Sequence, residues 1–182
     1  MSKHPAGHVF YRRMAHDYPA IMQGEGVYLY DGGGRRYIDA SGGPVVVNVG
    51  HGVQSIAQAM ARQAAQVAYV HGNLFTTEAL ETYSQRLAAK VPLPGARFFY
   101  LSSGSEAVET ALKFVRQVQL ARGELMRDQI ISRWGSYHGM TLGTLAVSGK
   151  PSMRTPYAPM FQDMPHIQPP YCYRCPFGAT YP

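Results

Sequence analysis

The chain has 182 residues, 46% of them hydrophobic, and a formal net charge of +6. This length can bury a core of ordinary domain size, and no apolar run approaches the ~18 residues of a membrane-spanning helix, so we expect a cytoplasmic protein without membrane contact. The 17 basic residues are scattered, which argues against nucleic-acid binding, and two cysteines are too few for a secreted disulfide framework.

The first half of the chain contains signals for an arm, a hairpin and two helices. Residues 1 to about 27 are predicted to form an irregular or partly helical arm. Two short strands at 27–30 and 36–39 flank a glycine turn and predict a β-hairpin. Apolar residues at helical spacing predict an alanine-rich helix over 54–67 and a second helix from about 77 to 90.

A strand, a turn and a helix follow, and this segment is the most informative part of the sequence. Residues 98–101 are aromatic and apolar without alternation, which is typical of a strand covered on both faces. Ser103 and Glu106 have the capping-box spacing, so the helix should begin at Ser103 or Gly104. The amides of the first turn and the hydroxyls of Ser103 and Ser105 then form an anion site, for which phosphate is the usual occupant. A plain helix cap at Ser103 is the alternative.

A second strand and turn are predicted one helix later. Residues 129–134 indicate the next parallel strand, which ends in Gly135-Ser-Tyr-His-Gly139. Ligands of open α/β sheets lie beyond the carboxyl ends of the strands, so this turn should lie beside the first. It offers the aromatic ring of Tyr137 next to a phosphate cradle, and that combination suits a phosphorylated aromatic cofactor. Residues 140–148 predict a short helix, with a strand as the alternative given their Thr and Val content, and the proline-rich stretch from Pro151 predicts a surface excursion or an unsupported tail.

Three other features favour structural roles. Cys172 and Cys175 form a single CxxC, and a tetrahedral zinc site needs two more ligands, so no metal is predicted. His51 lies between two glycines and has no identifiable carboxylate partner, which favours a structural turn histidine. His138 lies beside Tyr137 and is expected to pack or hydrogen-bond. No residue of the chain is predicted to be catalytic.

Several separated motifs point to one family. Leu101-Ser-Ser-Gly-Ser-Glu-Ala-Val-Glu-Thr-Ala-Leu-Lys113 is followed by Trp134-Gly-Ser-Tyr-His-Gly-Met-Thr-Leu-Gly143, and Ser41-Gly-Gly43 and Asn48-Val-Gly-His-Gly52 precede them. Together they resemble the class III aminotransferases, which are pyridoxal-phosphate enzymes of fold type I. The resemblance implies an α/β fold with an incomplete, mainly parallel sheet flanked by helices, and an N-terminal hairpin segment that belongs to the small domain.

The resemblance also implies roles for individual residues. Pyridoxal 5'-phosphate would be held through its phosphate by the amides at the start of the helix, with the ring of Tyr137 stacked on the pyridine. These cofactor-binding positions are Ser103, Gly104, Ser105, Tyr137, His138 and Gly139. Glu109 would support the site without reacting. The substrate would lie near the segment 41–47, where the implied contacts are Ser41, Gly42, Gly43 and Val45.

The resemblance further implies that the chain is part of a longer enzyme. Residues 1–48 would belong to the small domain and 49–182 to the N-terminal part of a truncated large domain. Class III members have roughly four hundred residues, well above one domain, and their later half supplies the Schiff-base Lys and the Asp at the pyridine nitrogen. The four lysines of this chain match no such context. We therefore expect an inactive N-terminal fragment of an enzyme that is a homodimer when complete.

The implied reaction transfers an amino group from an amine or amino acid to an oxo acid. Two alternatives stay open. An aminomutase or a decarboxylating transaminase of the same family would differ in residues that this chain largely lacks. A non-catalytic phosphate- or nucleotide-binding α/β module would need a Gly-x-Gly-x-x-Gly turn and a ribose-binding acid, and neither is in place.

Overall fold

The computed structural model describes residues 8–180 and divides into two units, one up to Gly95 and one from Ala96 onward. The first seven residues of the predicted arm, and the last two residues of the chain, lie outside the described part. The fold is α/β in each unit, because helices accompany a small sheet in both.

The first unit contains a three-stranded antiparallel sheet. Its strands are β1 (Ile21–Glu25), β2 (Tyr28–Asp31) and β3 (Arg36–Ile38), in the spatial order β1-β2-β3. The pair β2 and β3 is the predicted hairpin, which is confirmed. The prediction of an irregular or partly helical arm is wrong for β1, because this strand pairs antiparallel with β2. Its own sequence has too weak an alternation to indicate a strand without that partner.

Asp31 organises the turn between β2 and β3. One oxygen of its carboxylate accepts the amides of Gly33 and Arg35, both at 2.9 Å. The other oxygen accepts the hydroxyl of Tyr37 at 2.8 Å. The Tyr37 hydrogen bond is the largest of the contacts that hold the pKa of the Asp31 carboxyl below its usual value. A single side chain therefore satisfies the polar groups that a glycine turn leaves without ladder partners.

The first unit contains three helical segments, of which the two longer ones are predicted from the sequence. They are a short helical turn α1 (Gly42–Val45), and the longer helices α2 (Gln54–Gln66) and α3 (Glu78–Ala88). The predicted helices over 54–67 and 77–90 are thus confirmed. Thr77 caps α3, since its hydroxyl accepts the amide of Leu80 at 3.2 Å. Neither α2 nor α3 contains a fully buried residue.

The second unit contains the segment from the predicted anion site onward. Its elements are α4 (Gly104–Ala121), β4 (Ser132–Arg133), α5 (Leu142–Val147), α6 (Pro151–Arg154) and β5 (His166–Ile167), with 3-10 turns at Thr155–Met160 and Cys172–Arg174. α4 begins at the predicted position, and α5 confirms the predicted short helix over 140–148.

The buried core of the second unit is centred on α5. Leu145, Ala146 and Val147 are at most 4% exposed and are the buried hydrophobic residues among those described. Polar neighbours are buried with them, and each is hydrogen-bonded. The hydroxyl of Ser132 bonds the carbonyl of Val147, and that of Ser148 donates to the carbonyl of Thr144 at 2.7 Å. Such pairing removes most of the cost of burying a polar group.

The strands of the second unit differ from the prediction. The strand predicted over 129–134 is present only as β4, which pairs parallel with β5. β5 comes from the proline-rich stretch, most of whose described residues are exposed as the predicted surface excursion requires, although this short strand is not part of the prediction. The strand predicted over 98–101 is not formed, and Phe99 is 78% exposed. No strand of the described residues pairs with this segment, and a strand needs a hydrogen-bonded neighbour whatever its own composition.

Gly149 is a position at which the second unit tolerates no side chain. Its amide donates to the carbonyl of Ser136 at 3.0 Å, and its carbonyl accepts the amide of Gly135 at 2.8 Å. A β-carbon on Gly149 would overlap the carbonyl oxygen of Arg133 and lie 2.6 Å from the α-carbon of Trp134.

We therefore expect Gly149→Ala to destabilise the chain by about 1–3 kcal/mol, the usual cost of overpacking against backbone. Urea unfolding followed by circular dichroism measures the effect. Gly72→Ala is the matched control, because a β-carbon there meets no atom within 4 Å. Equal unfolding midpoints for the two variants would contradict this packing.

Candidate functional site

The N-terminus of α4 is the first part of the candidate site. Ser103 precedes the helix in an extended conformation, and its hydroxyl accepts the amide of Glu106 at 3.2 Å. The Glu106 carboxylate turns back and accepts the amide of Ser102 at 2.9 Å. The predicted capping interaction is confirmed, although the carboxylate bonds the amide that lies one residue before the cap.

Two amides of the first turn of α4 stay available. The amides of Gly104 and Ser105 have no acceptor inside the helix, and no described residue accepts a hydrogen bond from either of them. A β-carbon on Gly104 would meet no atom within 4 Å, so the space beside this residue is open. These amides and the positive end of the helix dipole are suited to an anion.

The turn that contains Gly139 packs directly on the first turn of α4. The amide of Met140 donates to the hydroxyl oxygen of Ser105 at 3.1 Å. Gly139 has φ +133°, and a β-carbon there would lie 2.7 Å from the Ser105 oxygen and 2.7 Å from that of Thr144. Only glycine permits so close an approach. The two predicted turns therefore lie side by side, as expected.

Glu109 connects α4 to the start of α5. Its carboxylate oxygen Oε2 accepts the hydroxyl of Thr141 at 2.6 Å. A β-carbon on Gly143 would lie 2.7 Å from the same oxygen, so the carboxylate rests against the α5 backbone. The sequence suggests a supporting role for Glu109 without naming its partner, because Thr141 is 32 residues away.

Tyr137 and His138 are held differently. The Tyr137 ring is about half exposed, and the ammonium of Lys150 lies 5.7 Å from its centroid. A cation at this distance is attracted by the ring face. The amide of His138 donates to the hydroxyl of Ser148 at 3.0 Å, and Ser148 is fully buried. The backbone of this turn is thereby tied to the core at the end of α5.

The predicted substrate segment lies in the first unit, whereas the phosphate and ring candidates lie in the second. Three backbone hydrogen bonds close its turn: the amide of Val45 donates to the carbonyl of Ser41 at 3.2 Å, and the amides of Val46 and Val47 donate to the carbonyl of Gly42 at 2.9 and 3.1 Å. Gly42 and Gly43 have positive φ, as does Val45 at +61°. A left-handed conformation is rare for a β-branched residue and indicates local strain.

Asp39 and His51 form a pair that the sequence did not reveal. The His51 ring nitrogen Nε2 lies 2.9 Å from the Asp39 carboxylate, and both side chains are partly buried. The expectation that His51 has no carboxylate partner is therefore wrong. This hydrogen bond is the largest cause of the lowered pKa of Asp39, and the amides of Gly43 and Gly42 lower that pKa further. Asp39 thus connects His51 with the predicted substrate segment.

His51 is also fixed through its backbone. Its amide and carbonyl exchange hydrogen bonds with Gly26 at 2.8 and 3.0 Å. A β-carbon on Gly24 would lie 2.7 Å from that of His51, so the histidine is packed against β1. These contacts agree with the structural role expected of it. A pairing of residues 12 positions apart leaves no local signal in the sequence.

The described residues contain neither a cluster of metal ligands nor a helix that could span a membrane. Between residues 8 and 180, no three His, Cys, Asp or Glu side chains are grouped so that they could hold a metal ion. Cys172 and Cys175 are free thiols beside a 3-10 turn. Within the same range, every helix is too short or too polar to cross a bilayer.

An α/β fold in which a glycine-aromatic turn closes against the open N-terminus of a helix is suited to binding a phosphate. The family model for class-III aminotransferases matches residues 10–179. The chain belongs to this family. The expected α/β fold of type I is likewise confirmed by the solved structures described below.

Curated relatives with substantial identity are aminotransferases. The chain is 36% identical over 157 residues to an uncharacterized aminotransferase, YodT, of Bacillus subtilis, a match that covers 86% of this chain and 35% of the relative. It is 37% identical over 166 residues to the taurine–pyruvate aminotransferase of Bilophila wadsworthia, covering 88% and 35%. The chain therefore spans about a third of the length of these relatives.

Solved structures of transaminases superpose well on the chain. An amine transaminase from an uncultivated Pseudomonas species, in its pyridoxal-phosphate-bound form, gives a TM-score of 0.85 with 30% identity, covering 98% of this chain and 40% of that one. An omega transaminase from Pseudomonas jessenii in complex with PMP gives a TM-score of 0.82 with 27% identity, covering 88% and 36%.

The Asp39–His51 pair should make stability depend on pH. Because the folded-state pKa of Asp39 is lowered from 3.8, its contribution is complete above that value and is lost as the pH falls through the folded-state pKa. We expect Asp39→Asn to lower the urea midpoint near neutral pH, and the difference from the wild type to shrink under acid conditions.

Asp128→Asn is the control for this measurement, since the Asp128 carboxylate is exposed and bonds the side chain of its neighbour Gln129. Urea titrations of the three proteins at several pH values give the midpoints. A deficit of Asp39→Asn that is the same at every pH would show that the ionised carboxylate of Asp39 does not contribute.

Proposed function

We propose that the chain is the N-terminal part of a pyridoxal-phosphate-dependent aminotransferase. The complete enzyme would transfer an amino group from an amine or amino acid to an oxo acid. The observation that carries this proposal is the contact of Met140 with Ser105, which sets a glycine-aromatic turn beside two available helix amides. Membership of the class-III aminotransferase family supports the reaction class.

The residues present fit a phosphate group. The amides of Gly104 and Ser105 are donors without a described acceptor, and the position of Gly104 is open. Ser103 uses its hydroxyl as an acceptor for the helix amide, so its own proton can be donated elsewhere. Backbone donors at a helix N-terminus are the usual way in which proteins hold a phosphate. We assign the 5'-phosphate to Ser103, Gly104 and Ser105.

The turn after β4 would orient the ring of the cofactor. Tyr137 is exposed enough for an aromatic partner to stack on it, and Lys150 lies near its ring. His138 and Gly139 determine where the turn lies, because the His138 amide bonds Ser148 and Gly139 fits against Ser105. When bound, pyridoxal phosphate supplies a conjugated ring that takes up the electron pair left when the substrate loses a proton. These residues bind and orient, and none of them transfers that proton.

Substrate contacts are proposed for the turn that follows Asp39. Val45 is 75% exposed at the tip of this turn, so its side chain can meet a ligand. The proposed contacts are Ser41, Gly42, Gly43 and Val45. The division into a small domain, 1–48, and part of a large domain, 49–182, is proposed with them. A homodimeric complete enzyme and a cytoplasmic location are further proposals that depend on the family alone.

Ligand binding by two variants separates the phosphate site from the ring site. Ser105→Ala should weaken both inorganic phosphate and pyridoxal phosphate about five- to tenfold, because one charge-assisted hydrogen bond is lost. Tyr137→Ala should weaken pyridoxal phosphate about fivefold through the loss of stacking and leave inorganic phosphate unchanged. Phosphorus NMR measures the first ligand, and equilibrium dialysis measures the second.

The matched controls are Ser152→Ala and Tyr173→Ala, two exposed positions away from the proposed site. Since no lysine of the chain lies in the family's Schiff-base motif, pyridoxal phosphate should be removed by desalting. Wild-type affinities in both site variants would contradict the assignment. So would retention of the cofactor that depends on one of the four lysines.

A further inference from the structure

We propose that Glu109 is a positioning residue for the anion site. Through Thr141 it holds the turn 138–141 against α4, and this leaves the Ser105 hydroxyl with its proton directed to a bound phosphate. The inference rests on the proposed function, because it takes the start of α4 as the phosphate site. Glu109 contacts Thr141, and through this contact it leaves the proton of the Ser105 hydroxyl free for the ligand.

The conformation of Thr141 indicates that Glu109 determines its position. Thr141 is the residue that precedes α5, where a threonine hydroxyl ordinarily accepts an amide of the first helical turn. Here it makes no such cap. Its single proton is donated to the Glu109 carboxylate at 2.6 Å, and its oxygen lies 3.0 Å from the hydroxyl of Thr144. This hydrogen bond directs the Thr141 side chain toward α4 in place of the cap on α5, so Glu109 fixes the side chain.

The same turn determines which way the Ser105 hydroxyl can donate. The amide of Met140, one residue before Thr141, donates to the Ser105 oxygen at 3.1 Å. A hydroxyl has one proton and two acceptor lone pairs. The Met140 amide uses one lone pair, and no described residue accepts the Ser105 proton. The proton is therefore available to an anion that lies at the amides of Gly104 and Ser105.

The charge of Glu109 does not help to bind a phosphate. Two negative groups near the same helix end repel one another, so attraction cannot be the reason for a carboxylate here. Its value is geometric, since it accepts the Thr141 hydroxyl and rests against the backbone of Gly143. A glutamine at 109 keeps an acceptor oxygen of the same reach without the charge. An alanine removes both the acceptor oxygen and the charge. Comparing the two variants therefore separates the effect of the hydrogen bond from the effect of the charge.

The test uses the full 182-residue chain with Glu109→Ala, Glu109→Gln, Thr141→Val and Thr141→Ser. Two quantities are measured for each protein: the hydrogen-exchange protection of the Met140 amide without ligand, and the affinity for inorganic phosphate by phosphorus NMR. Glu109→Ala and Thr141→Val should each lose about tenfold in both quantities. Glu109→Gln and Thr141→Ser keep the hydrogen bond and should stay within about twofold of the wild type. Glu124→Gln, at an exposed carboxylate beyond α4, is the surface control.

The outcomes separate this inference from the proposed function. Wild-type protection of Met140 in Glu109→Ala, or equal phosphate affinity in Glu109→Ala and the wild type, would overturn the inference. A loss in Glu109→Gln as large as in Glu109→Ala would also overturn it, because the charge would then be the active property. If the wild-type chain binds no phosphate, the proposed function fails. If the Met140 amide loses protection only in Glu109→Ala and Thr141→Val, the link from Glu109 through Thr141 to this turn is supported, whether or not the wild-type chain binds phosphate.

Discussion

The contact between the Gly139–Met140 turn and the first turn of α4 is the constraint on which the candidate site depends. A helix N-terminus by itself is open on all sides and binds anions weakly and without selectivity. Here the turn covers one side, because Gly139 carries no β-carbon and the Met140 amide reaches the Ser105 oxygen at 3.1 Å. The result is a site with a defined edge, next to which the sequence places the aromatic ring of Tyr137.

The position of that turn depends in turn on a small, partly polar core. α5 is buried through Leu145, Ala146 and Val147, and the buried hydroxyl of Ser148 joins this core to the amide of His138 at 3.0 Å. Burying a hydroxyl costs about 1–3 kcal/mol when it has no partner, but Ser148 both donates and accepts. A fully apolar core at this place would hold α5 equally well and would leave the turn without its anchor.

The parts of the fold that the sequence predicts are those governed by near neighbours. The cap at Ser103, the start of the helix after Thr77 and the glycine turn between β2 and β3 each depend on residues within six positions, so their signals are visible in the sequence. Strand pairing is not local. The partner of β4 is 34 residues away in a stretch without periodicity, and the aromatic run 98–101 has the composition of a strand but no described neighbour to pair with.

The turn that follows Asp39 shows the same limit in energetic terms. A β-branched residue in the left-handed region costs on the order of 1–3 kcal/mol, and such strain persists only where the surroundings determine the backbone. Around Val45 those surroundings are the bonds from Asp39 to the amide of Gly43 at 3.4 Å and to His51 at 2.9 Å. His51 is itself fixed on Gly26 by two backbone bonds. The motifs Ser41-Gly-Gly43 and Asn48-Val-Gly-His-Gly52 include Gly43 and His51 but not Asp39. Only the folded chain shows that Asp39 joins them, so the conformation of this turn depends on a contact that no spacing encodes.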